Sequence, residues 1–71
     1  SSEFALLKLK LKEVYSETPG ITVLIISILE LYEISVRYTY RMGHEIWFLI
    51  DSEYGSIAAE KLLFLSRPIK R

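Results

Sequence analysis

No cysteine occurs in these 71 residues, and histidine, tryptophan and methionine occur once each. Without cysteine, neither a disulfide framework nor a thiolate metal site can hold the chain together. The single histidine, His44, has no second histidine or cysteine with which to build a metal set or a nucleophile pair. It stands beside Gly43 in a turn-like stretch, where a solvated imidazole is the ordinary case. Glu17, Glu30, Glu33 and Glu53 show no spacing that suggests an acid/base pair, and no serine has a base in reach by sequence logic. No enzymatic activity, no metal and no cofactor are expected.

Net charge is also missing, since nine basic and nine acidic side chains cancel. Nucleic-acid binders usually carry a basic excess that neutralises phosphates, so a nucleic acid is not the expected partner. A long hydrophobic run is absent too: the apolar stretch from Ile21 to Leu29 is nine residues, far short of a membrane span. No charged leader with a small-residue cleavage site precedes it. The expectation is a cytoplasmic protein without membrane attachment. The chain opens at Ser1-Ser2 and stops at Ile69-Lys70-Arg71, and it reads as a piece of something longer, with a last strand cut short.

A chain of this length makes one small domain, residues 1–71, and buries only a modest fraction of its surface. Yet 51% of its residues are apolar. A subunit interface is the natural outlet for that excess, and a homodimer is expected.

What is present is an order of patterns. Leu7, Leu9 and Leu11 alternate with Lys8, Lys10 and Lys12, which reads as a strand within a segment from about Phe4 to Tyr15. Thr18-Pro19-Gly20 then opens a helix, with Thr18 as the expected cap and Pro19 in the first turn. Ile21, Leu24, Ile25, Ile28, Leu29 and Tyr32 form its apolar stripe, while Val23 and Ile26 fall on the opposite side. Val36, Tyr38, Tyr40 and Met42 alternate with Ser35, Arg37, Thr39 and Arg41, and Ile46, Phe48 and Ile50 alternate with Glu45, Trp47, Leu49 and Asp51. These are two strands joined by a hairpin near Gly43. After a loop over Asp51 to Ser56, Ile57 to Leu65 reads as a second helix with Ala58, Leu62 and Leu65 buried, and Arg67-Pro68 ends it. Leu63 and Phe64 lie outside that stripe. Together with Val23 and Ile26 they are the expected interface residues.

The order β-α-β-β-α, with a truncated sixth element from Ile69, predicts an α+β fold of ferredoxin-like type: an antiparallel sheet with two helices on one face. Strand one should lie beside strand three. Leu7, Leu9, Leu11, Val36, Tyr38, Tyr40, Ile46, Phe48 and Ile50 would line the helix-covered face. Lys8, Lys10, Lys12, Arg37, Thr39, Arg41, Glu45, Trp47 and Asp51 would line the open one.

The stretch Glu17-Thr18-Pro19-Gly20-Ile21, followed by Ile25, Ile28-Leu29 and Glu33-Ile34-Ser35-Val36, resembles the ACT domain, a β-α-β-β-α-β module that senses amino acids in metabolic enzymes. Its motif is an acid or amide residue, a variable residue, Pro-Gly, an apolar helix, and an apolar-Asn-apolar lead into the second strand. Glu17 stands where the family usually has Asp or Asn, and Ser35 where effector-binding subunits have Asn. Within the family the likeness is to the small regulatory subunit of acetolactate synthase, in the leucine-rich final helix Leu62-Leu63-Phe64-Leu65 running toward Ile69. The resemblance implies a dimerising allosteric regulatory domain whose partners are a second copy, a catalytic subunit or enzyme domain, and an amino-acid effector. It implies that Glu17, Thr18, Pro19, Gly20, Ile21 and Ser35 hold that effector. Independently of the likeness, a helix N-terminus opened by Gly20 can receive a carboxylate, and Glu17 can meet an ammonium group.

Two other readings stay open. In a winged helix-turn-helix, a DNA-binding transcription regulator, Ile34 to Arg41 would start a recognition helix, Asp51 to Gly55 would end a wing, and residues 36–48 would be helical. In a ferredoxin-like RNA-binding module, the open sheet face with Lys8, Lys10, Lys12, Arg37, Arg41 and Trp47 would stack bases, with Trp47 its only aromatic.

Overall fold

A computed structural model describes residues 3–67 of the chain. Strand β1 (Phe4–Lys10) is followed by a single helical turn α1 (Glu13–Ser16), helix α2 (Ile21–Leu31), strands β2 (Val36–Met42) and β3 (Glu45–Asp51), and helix α3 (Gly55–Leu62). Short 3-10 turns, Ser52–Tyr54 and Leu63–Leu65, flank α3. The molecule is an α+β fold with a three-stranded antiparallel sheet in the order β1-β3-β2. Residues 36–51 therefore form a hairpin, not the helix that the winged helix-turn-helix reading placed over residues 36–48. The last strand expected from Ile69 lies outside the described residues.

The first alternation forms a strand for the expected reason, but a shorter one. It stops at Lys10, and α1 occupies what the pattern assigned to strand up to Tyr15. β1 pairs with β3 in the register Leu7↔Phe48, Lys8↔Trp47 and Leu9↔Ile46. Directly paired residues share a face, so Leu7 and Leu9 join Ile46, Phe48 and Ile50 toward the helices. Lys8 and Lys10 join Trp47 and Glu45 on the open side.

β2 departs from expectation at one residue. Val36 pairs with Ile50, but Tyr38 pairs with Leu49, so Arg37 is an extra residue in the ladder. Such a bulge flips every later side chain to the other face, because the side-chain period is two. Tyr38 (61% exposed), Tyr40 and Met42 therefore project onto the open face, while Thr39 pairs with Phe48 and Arg41 with Ile46 on the helix-covered side. The assignment of Tyr38 and Tyr40 to the core, and of Thr39 and Arg41 to the open face, is corrected by that single insertion.

The core lies between the sheet and the helices. Ile21, Ile25 and Leu29 of α2, with Ala58, Leu62 and Leu65 around α3, pack on Leu9, Leu11, Ile46, Phe48 and Ile50. Both helices thus cover one sheet face. Leu24 and Tyr32, expected in the α2 stripe, are exposed, and Ile34 is buried in their stead. The chain leaves α2 through Glu33, whose φ of 61° is left-handed, with the Ile34 N–H donating to the Leu29 carbonyl at 3.0 Å and the Glu33 N–H to that of Glu30 at 2.9 Å. This is a Schellman ending, and it swings Ile34 back over the core.

Two outcomes check this packing. Phe48→Ala, at a fully buried position, should cost about 3–5 kcal/mol in denaturant unfolding, whereas Tyr38→Ala should stay within about 0.5 kcal/mol. A large loss for Tyr38→Ala would contradict the bulged register. Glu33→Gly should raise stability by up to about 1 kcal/mol in thermal or urea melts, because glycine adopts a positive φ without strain.

Candidate functional site

The loop before α2 is built from short-range hydrogen bonds. The Thr18 hydroxyl does not cap α2. It donates to the Val14 carbonyl at 2.7 Å and closes α1 instead. Gly20 takes the N-cap position with a left-handed φ of 74°, and no side chain caps the helix. Helix α2 starts at Ile21, two residues beyond Pro19. Nothing lies within 4 Å of the place a Cβ would occupy on Gly20, so its glycine serves the turn and leaves the backbone open to approach. In the first turn the Ile21 N–H donates to the Thr18 carbonyl at 3.2 Å and the Leu24 N–H to that of Gly20 at 3.0 Å, while no side chain caps the amides of Thr22 and Val23, which is where a carboxylate can be accommodated.

Glu17, Thr18, Pro19, Gly20 and Ile21 are contiguous here, but Ser35 is not among them. It lies beyond the far end of α2, an 11-residue helix and so about 16 Å long. One chain alone does not bring the six expected effector-binding residues together.

A cluster that the sequence pattern did not suggest ties this loop to the hairpin. Arg41 Nη2 donates to the Ser16 carbonyl at 2.6 Å and Arg41 Nε to the Gly43 carbonyl at 3.0 Å. His44 Nδ1 shares a hydrogen bond with Ser16 Oγ at 2.6 Å. The Arg37 bulge is what turns Arg41 toward the helix side, so only the register could have disclosed it.

The expected helix interface is partly accounted for within the chain. Ile26 packs against the core, and Phe64 makes an edge contact with Tyr15 at 6.1 Å between centroids. Val23 and Leu63 are 68% and 67% exposed. Leu63 lines an open groove of about 930 Å³ along the free edge of β1, together with Leu7, Leu9, Ala59 and Leu62. At one end of that edge, residues 66–67 begin an antiparallel pairing: the Arg67 N–H donates to the Lys10 carbonyl at 2.8 Å and the Lys12 N–H to the Leu65 carbonyl at 2.8 Å.

The open sheet face is the most distinctive surface. Phe4, Leu6, Tyr38, Tyr40 and Met42 are exposed on it, beside half-buried Trp47 and Leu49. Trp47 is its centre: its ring lies 5.7 Å from Tyr40 and 4.8 Å from Lys8 Nζ, and its Nε1 donates to Glu45 Oε1 at 3.0 Å. Arg37 meets Asp51 at 3.4 Å and lies over the Phe4 ring at 5.9 Å. The expectation of a single aromatic on this face gives way to four: Phe4, Tyr38, Tyr40 and Trp47. Lys12 lies beyond β1 and is not part of the face.

Among the described residues, no group of three or more His, Cys, Asp or Glu could hold a metal ion, and no helix is long and apolar enough to cross a membrane. Away from these surfaces, hydrogen bonding with Glu53 and its negative charge push the Tyr54 phenol above its usual range. No family model matches the chain, nor does any curated protein or solved structure.

Arg41→Ala should lower stability by about 1 kcal/mol in denaturant unfolding, and the loss should shrink when combined with loss of the hairpin turn at Gly43. Full additivity of the two would show that Arg41 does not anchor the hairpin.

Proposed function

We propose that this chain is a non-catalytic regulatory and interaction domain of ferredoxin-like, ACT-type design, acting in the cytoplasm as a homodimer that can report to an enzyme subunit or domain. The observation that supports it most is the sheet order. β1 and β2 run in the same direction on either side of β3, and the intervening helix α2 packs with α3 on one face only. That is the layout a split β-α-β unit requires. The Pro19-Gly20 turn before α2 is, in this reading, the effector loop.

In this reading an amino-acid carboxylate meets the amides of the first turn of α2, and its ammonium group meets Glu17. Ser35 is separated from such a ligand by the length of α2, so the effector contact proposed here rests on the loop from Glu17 to Ile21 alone. A balanced net charge and a half-apolar composition fit a chain whose partner is protein.

Size-exclusion chromatography with light scattering should return twice the mass of the chain at micromolar concentration. Thermal melts with each of the twenty amino acids at millimolar concentration should show one or a few that raise Tm, with the gain lost in Glu17→Ala. No stabilisation by any of them would end the effector role and leave the interaction role standing. Gly20→Ala should cost about 1–2 kcal/mol through its left-handed φ, and Gly20→Asn less.

A further inference from the structure

We propose that two copies of this chain pack sheet against sheet through the open face, with the two-fold axis running along the strands. The inference rests on the dimeric reading above and names its interface, which is not the helix surface of Val23, Ile26, Leu63 and Phe64.

The bulge at Arg37 gathers Tyr38, Tyr40 and Met42 onto the face that already carries Leu6, Trp47 and Leu49. An exposed continuous patch of aromatic, Met and aliphatic side chains, edged by charge, has the composition of an interface core. An aligned pair of such sheets interdigitates across about 10 Å.

Its charges then select the occupant. Three basic side chains (Lys8, Lys10, Arg37) share the face with two acidic ones (Glu45, Asp51). Arg37 is engaged by Asp51, and Lys8 lies over the Trp47 ring. A phosphate backbone would meet little unmatched positive charge and two carboxylates, so a polyanion is a poor fit. A second copy is a good one. The lysines lie along β1 at one side of the face, the tyrosines along β2 at the other, and β3 runs between.

A two-fold axis parallel to the strands lays β1 of one copy over β2 of the other and β3 over β3. Lys8, level with Trp47, then faces the Tyr40 ring, which attracts it, Lys10 faces Met42, and Trp47 approaches its own counterpart near the axis. An axis across the strands would instead set the lysines against their own copies, a repulsive pairing. The layout thus chooses both the partner and its orientation.

Light scattering and the emission of Trp47, the only tryptophan, test this on the chain as it stands. Dilution through the dimer dissociation range should shift the emission to longer wavelength, in step with the fall in mass. Tyr38→Glu and Met42→Glu, both at exposed positions, should raise the dimer Kd at least tenfold with unchanged circular dichroism. Val23→Glu should leave it unaltered. A dimer that dissociates without any change in Trp47 emission would overturn the proposal whatever the variants do. So would a dimer indifferent to Tyr38→Glu but broken by Val23→Glu, and in both cases the dimeric reading would survive. A monomer at every concentration would end both. Salt-dependent binding of single-stranded oligouridylate that quenches Trp47 would overturn the proposal in favour of a nucleic-acid surface.

Discussion

The fold depends on β3 being the middle strand. Ile46, Phe48 and Ile50 are fully buried, and their backbones are held on both sides, by β1 and by β2. Every other element is placed relative to this strand. α2 and α3 settle on the side its apolar residues face, and the residues between them, Glu45, Trp47, Leu49 and Asp51, define the other side. Because this small domain has few core residues and no covalent cross-link, no second cluster could hold the helices if that row were lost.

That row and its partner were legible in the sequence. Strict alternation over Leu7 to Lys10 and over Ile46 to Asp51 states which residues share a face, and the pairing of β1 with β3 came from the ferredoxin-like arrangement that the order of elements suggested. The buried stripe Ala58, Leu62 and Leu65 was legible for the same reason, at a helical period. β2 had the clearest alternation of all, and its face was read wrongly. A bulge is decided by how the ends of a strand fit its neighbour and the loops around it, and nothing local to Arg37 marks it. The Thr18 cap failed differently. A threonine hydroxyl has two backbone partners in reach, and the Val14 carbonyl of the unforeseen turn α1 was the nearer. Ile34 was missed because its burial depends on the left-handed step at Glu33, a position where glycine would have announced the turn.

The candidate surfaces divide along the same line. The loop from Glu17 to Ile21 was visible as a motif, but its left-handed glycine in place of a Thr18 cap was not. Ser35 was joined to it by resemblance, and the rigid length of α2 keeps the two apart within one chain. The open face was visible only as a basic surface with one tryptophan. Its aromatic character is a tertiary property, since it requires the shift in β2 and the approach of Tyr40 to Trp47 across two strands.

The bulge has an evolutionary side. Losing one codon at Arg37 would straighten the ladder and leave every pairing as it is, Val36 with Ile50 and Tyr38 with Leu49, so the tyrosines would stay outward. In a strict ladder one residue gained or lost inverts a whole row at once, whereas a bulge on this edge strand absorbs it at one position. The character of the open face is in this sense buffered against a change in residue count, and lineages of such a domain could gain or lose the bulge residue and keep that face.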